Sequence, residues 1–81
     1  MSFQQLTPEV TIDLARLFEA LSDPTRVRII AALIDGEIGV GELVERIGLT
    51  KSAVSHQMRG LRDKRLIHTR KQGRNVYVCI D

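Results

Sequence analysis

Within seventeen residues, Leu49 to Arg65, the sequence LTKSAVSHQMRGLRDKR gathers two serines, one histidine and five basic side chains. Three kinds of chemistry use such a set. A serine beside a histidine suggests a nucleophile and its base. Ser55 and His56 are adjacent, however, and adjacent residues on a helix diverge by about 100°. Ser52 and His56 are spaced to meet, but no orienting acid or oxyanion pocket accompanies them. No catalytic residue is assigned. A histidine can also anchor a metal. Here Arg59 and Gly60 occupy the positions three and four beyond His56, and neither is a ligand. His68 lies on a later extended segment with no partner at ligand spacing. No metal ligand is assigned either.

The third chemistry is contact with a polyanion. Val54, Met58 and Leu61 fall at i, i+4 and i+7 of a helix beginning at Lys51, and must face a core. That register turns Ser52, Ser55, His56, Arg59 and Asp63 to the opposite side, with Thr50 and Lys51 at the helix start. Short polar residues near a helix N-terminus let backbone approach phosphates closely, and the positive end of the helix favours them. Arg59 can bond guanine through two hydrogen bonds. Gln57 can reach adenine if it points outward. Gly60 in the helix interior costs about 1 kcal/mol against alanine. It either permits close approach of another backbone or is simply tolerated, and the sequence leaves both readings open.

The charge distribution supports that chemistry. The net charge is only +2. Yet residues 1–50 carry four basic and eight acidic side chains, whereas residues 51–81 carry eight basic and two acidic ones. A basic half on an acidic body suits a polyanionic partner. With 43% hydrophobic and 27% charged residues over 81 positions, the composition is that of a folded chain rather than a disordered one, and the length allows one small domain, 1–81. The lone Cys79 cannot form an internal disulfide or a two-thiol metal pair; it is expected to be a small buried apolar residue. No apolar run reaches membrane-spanning length and none resembles a signal peptide. No membrane partner is expected, and the cytoplasm is the expected location.

The elements that must position these residues are well punctuated. Thr7-Pro8-Glu9 and Asp23-Pro24 are helix starts. The first helix carries an apolar stripe of Val10, Leu14, Leu17, Phe18 and Leu21. The second is expected to bury Val27, Ile30, Leu33 and Ile34 and to end at Asp35-Gly36. Ile38 to Val40 is a short apolar link, expected to be slightly extended. A third helix, about Gly41 to Ile47, ends at Gly48, where a left-handed residue is wanted. Leu49 then plugs the turn and Thr50 caps the fourth helix, to about Lys64. A helix, a short glycine-containing turn and a second helix form a helix-turn-helix, here about 41–64, whose second helix is built to enter a major groove. Beyond Leu66 the period changes. LIHTRKQGRNVYVCI predicts a hairpin over about 66–80, with Gly73 in its turn. Its tip carries Arg70, Lys71 and Arg74 and no acid, which suits phosphates or a minor groove beside the bound site.

These words resemble a family. ALSDPTRVRIIAAL, GELVERIGLTKSAVSHQMRGLRDKRLI and RKQGRNVYV, in that order, are similar to the ArsR/SmtB family of bacterial winged-helix repressors, in particular its zinc-responsive branch. The likeness runs from about Leu17 to Ile80. It implies a mainly α fold with a β-hairpin wing, a winged helix-turn-helix, that represses transcription and is not an enzyme. It implies a homodimer on a partly palindromic double-stranded DNA operator, with recognition helices about 34–36 Å apart, released by a metal or another effector. Thr50, Lys51, Ser52, Ser55, His56, Gln57 and Arg59 are then the recognition-helix contacts, and Arg70, Lys71 and Arg74 those of the wing.

Two departures qualify the resemblance. EIGVGEL has Gly39 and Gly41 where many metal-sensing members have cysteines, so that thiolate site is missing. Zinc- and nickel-type members continue past the wing into a helix that bears Asp, His and Glu ligands and helps form the dimer, whereas this sequence stops at Asp81. No cofactor is evident within residues 1–81; a divalent, zinc-type metal is expected only through such a helix, and continuation of the native chain is favoured. The stripe of Val10, Leu14 and Phe18 is then expected to carry more of the dimer interface, shared with ordinary core packing. An effector-independent repressor, or a winged helix that binds an acidic protein, are the alternatives.

Overall fold

A computed structural model describes residues 2–81. After a short 3₁₀ turn at Phe3–Gln5, the chain forms α1 (Pro8–Ala20), α2 (Pro24–Leu33), β1 (Ile38–Gly39), α3 (Val40–Ile47), α4 (Lys51–Asp63), β2 (Ile67–Gln72) and β3 (Asn75–Ile80). Each expected cap is present. Thr7 Oγ1 accepts the Val10 N–H at 3.2 Å. Asp23 Oδ1 accepts those of Thr25 and Arg26 at 2.8 and 3.2 Å. Thr50 Oγ1 accepts that of Ala53 at 3.1 Å. Each satisfies amide donors that a helix start leaves without an internal partner. Gly48 ends α3 with φ 76°, a left-handed conformation that lets α4 depart at a new angle.

Every helix and both long strands contribute to one core. Ala20 comes from α1, Ile29 and Leu33 from α2, Leu43 and Ile47 from α3, Val54, Met58 and Leu61 from α4, Ile67 from β2 and Val78 from β3. No polar or charged residue is buried among the described residues. The inward register expected for α4 is therefore the observed one.

Three details sharpen or differ from the sequence reading. The Ile38–Val40 link is a strand at its start. Ile38 pairs with Val78 and Gly39 with Tyr77, so the sheet is antiparallel in the order β1-β3-β2, and α3 begins one residue early, at Val40. Second, α2 is rotated. Ile29 and Leu33 are buried and Ile30 half-buried, while Val27 is exposed and Ile34 is 68% exposed. The run VRIIAALI is apolar on most sides, so spacing alone did not define its buried face; Arg26 and Arg28 do, because each bonds to a different helix. Third, Leu49 is exposed rather than plugging the turn. Ile47 and Val54, on either side of it, fill the core there.

The exit from α4 is closed by backbone. The Leu66 N–H donates to the Leu61 carbonyl at 3.0 Å and that of Arg65 to Arg62 at 2.9 Å. This is the Schellman pattern, with Leu66 packed against the core. Its left-handed position is held by Arg65, at φ 59°, rather than by glycine. At the far end of the sheet, Gly73 (φ 60°) occupies the first central position of a two-residue turn between the paired Gln72 and Asn75. That is the glycine placement of a type II′ hairpin.

Candidate nucleic-acid interface

The outward face of α4 is polar along its length. Lys51, Ser52, His56 and Arg59 are exposed and Ser55 is half-buried. Thr50 uses an oxygen lone pair as the cap, which leaves its hydroxyl proton to donate outward. A cleft runs between α3, α4 and the hairpin. Lys51, Ser55, Arg59, Arg62, Arg74 and Asn75 line it, over a floor that includes Val44, Met58 and Tyr77. The cleft thus unites α4 with the wing residue Arg74. Its basic wall is relieved by a single acid, Glu42, which is itself bonded to Arg46 at 2.7 Å. Arg62 and Asn75 were not among the residues expected from sequence. Helical spacing could have found Arg62, three residues beyond Arg59 and seven beyond Ser55.

Two arginines of α2 clasp the helix-turn-helix. Arg28 donates to the carbonyls of Ile47 at 2.8 Å and Arg46 at 3.1 Å. Those groups are among the C-terminal carbonyls that a helix leaves without internal partners, and a cation suits that negative end. Arg26 crosses to α4, where its Nε donates to Gln57 Oε1 at 2.8 Å. Gln57 is half-buried, with its amide oxygen bonded to Arg26 of α2 and so not free for the adenine-reading role expected of it. The Arg26 guanidinium also explains Gly60. A Cβ at position 60 would lie 2.9 Å from Arg26 Nη2 and 3.5 Å from its Cζ. The approach that the glycine permits is by a side chain, not by another backbone.

The wing cations divide into two kinds. Arg70 is committed to the body of the protein. Its Nη2 and Nε donate to the two Glu37 carboxylate oxygens at 2.6 and 2.8 Å, and Nη1 donates to Gln72 Oε1 at 2.9 Å. Its guanidinium carbon also lies 4.6 Å from the ring centroid of Tyr77, its cross-strand neighbour. The hydrogen bond from Arg70 holds the Glu37 carboxyl below its usual range, and the same bond raises Arg70. Arg70 is thus engaged within the protein, while its side chain stays half exposed. Lys71 and Arg74 are exposed and make no ion pair among the described residues.

Cys79 also differs from expectation. It is half-buried, not a core residue, and its Sγ lies 2.9 Å from His68 Nε2. His68 Nδ1 is 3.5 Å from Asp81 Oδ1. The strand register places His68 opposite Cys79, a relation that linear spacing does not display. Even so, no group of three or more His, Cys, Asp or Glu side chains among the described residues is placed to hold a metal ion. Of the stripe on α1, Val10 and Leu14 are half-buried, whereas Phe18 is 68% exposed. Ile12, outside that stripe, is exposed as well. No described helix is long and apolar enough to cross a membrane.

Known proteins share this arrangement. Residues 23–69 match the model of the family described as "Bacterial regulatory protein, arsR family". The chain is 44% identical over 82 residues to a transcriptional repressor SmtB homolog of Synechocystis sp. PCC 6803, an alignment covering 95% of this chain and 62% of that protein. It is 48% identical over 63 residues to the HTH-type transcriptional regulator CmtR of Mycobacterium tuberculosis H37Rv, covering 78% of this chain and 53% of that one. The chain thus spans between half and two thirds of the length of these relatives. Among solved structures, HlyU from Vibrio cholerae N16961 superposes with a TM-score of 0.88 at 31% identity, covering 93% of this chain and 82% of that one. The architecture is a winged helix-turn-helix, and the chain belongs to the ArsR family of bacterial regulatory proteins.

Proposed function

We propose that the protein is a sequence-specific DNA-binding transcriptional repressor that acts as a homodimer on a partly palindromic operator. The observation that carries this reading is the basic cleft joining α4 to the wing. Ser52, Ser55, His56 and Arg59 meet base edges. Thr50, Lys51 and Arg62 contact phosphates at the flank of the same helix, and Lys71 and Arg74 reach those beside it. Arg70 keeps the hairpin at its angle through Glu37. The exposed Phe18 on α1 suits a second copy of the chain, together with the half-buried Val10 and Leu14 on the same face of that helix, because apolar side chains left in water gain by association. The cytoplasm, where a bacterial operator lies, is its place of action.

Release by an effector belongs to this reading. Gly39 and Gly41 carry no donor side chain, so the thiolate site of many metal-sensing members is not available at those positions.

The testing experiment is a binding titration of the protein against duplex DNA over a range of salt. Neutralised phosphates release counterions, so affinity is expected to fall steeply as salt rises. Absence of duplex binding even at low salt would overturn the reading.

A further inference from the structure

We propose that Arg26 is a positioning residue for DNA recognition, which fixes Gln57 as a hydrogen-bond donor toward the bound base; this rests on the DNA-binding reading above. An arginine Nε–H can only donate. The amide oxygen of Gln57 must therefore face Arg26, at the 2.8 Å observed, and the amide NH₂ is the group left for an outside partner. Bidentate adenine recognition uses the oxygen and the nitrogen of a glutamine together. With its oxygen held against α2, Gln57 instead favours an acceptor edge: guanine O6 or N7, or thymine O4.

Two further observations show that the contact is built into the packing. Gly60 sits where a Cβ would be 2.9 Å from the Arg26 guanidinium, so the least helix-favouring residue inside α4 is the one the arginine passes over. Arg26 also has no acidic partner among the described residues, although the acidic half of the chain surrounds it in sequence. Its hydrogen-bonded side-chain partner there is the Gln57 amide. Holding a long side chain in one rotamer before DNA arrives removes part of the ordering that binding would otherwise require.

The test is selection from a random duplex pool by the full-length protein, followed by affinity measurements on the enriched duplex and its single-base variants. The wild type is expected to enrich guanine or thymine at one position of each half-site, with discrimination on the order of 10-fold. Gln57→Ala and Arg26→Ala are expected to flatten preference at that same position, and the double variant to flatten it no further. Gly60→Ala provides a second route, because it displaces the guanidinium without removing a charge; the same position should lose its preference. Uniform loss of affinity on every duplex from Arg26→Ala, as for a direct phosphate contact, would overturn the proposal. So would flattening at a different position, or enrichment of adenine at the Gln57 position. If the wild type binds no duplex at low salt, the DNA-binding reading fails and this inference with it.

Discussion

Arg70 on β2 and Glu37 on the approach to β1 stand 33 residues apart in sequence, yet they share two hydrogen bonds of 2.6 and 2.8 Å. The pair ties the hairpin to the segment that links α2 to α3. It gives Arg70 a part in supporting the hairpin. Glu37→Gln is expected to loosen the hairpin without unfolding the protein. Faster amide exchange in β2 and β3, with unchanged exchange in α4, is the result that checks it.

The same pair predicts a pH dependence. Arg70 lowers the Glu37 pKa in the folded protein. A depressed carboxylate contributes fully above its unfolded pKa and loses that contribution as pH falls through the folded value. Hairpin anchoring is therefore complete at neutral pH and lost in the acid range. Arg70 side-chain NMR signals should shift as Glu37 protonates, and Glu37→Gln should abolish that titration. Because both groups are exposed, the effect on global stability is expected to be small.

Arg65 holds a left-handed conformation that glycine adopts without steric penalty. Arg65→Gly is expected to stabilise the protein by about 1 kcal/mol, or about 4–8 °C in Tm for a chain of this size. Thermal unfolding checks this; an unchanged or lower Tm would show that the arginine side chain contributes more than the strain removes.

Leu61 and Phe18 should separate folding from association. Leu61 is fully buried, and Leu61→Ala is expected to cost about 2–5 kcal/mol. Phe18 is mostly exposed, so Phe18→Ser should leave monomer stability nearly unchanged while shifting the protein toward monomers. Sedimentation equilibrium measures that shift.

Much of this structure was legible in the sequence because its signals are local. Thr7, Asp23 and Thr50 cap the helices they precede, and Gly48 and Gly73 adopt the positive φ their turns require. Val54, Met58 and Leu61 gave the register of α4, and with it the exposed face. What was missed depends on contacts between distant segments. The rotation of α2 is set by Arg26 and Arg28, whose partners lie 31 and 19 residues away. β1 has two residues, too few to show a period, and exists because β3 offers it a partner. His68 and Cys79 meet only through strand register.

The division of labour among the cations gives a further expectation. Arg59→Ala should cost about 1–3 kcal/mol and relax preference at one base pair, if it reads guanine through two hydrogen bonds. Lys71→Ala should weaken all sequences alike. Affinities of the two variants for a set of single-base duplex variants measure the difference. Equal losses from both on every duplex would remove the distinction.

The most direct test of the central claim is the salt dependence of binding to a duplex enriched from the random pool, for the wild type and for a Lys71→Ala/Arg74→Ala variant. The plot of log affinity against log salt is expected to be linear and steeply negative, with roughly 0.9 of slope for each phosphate neutralised. The variant should lose about two units of slope per protomer bound. A flat wild-type plot, or identical slopes for the two proteins, would contradict a DNA interface built on α4 and the wing.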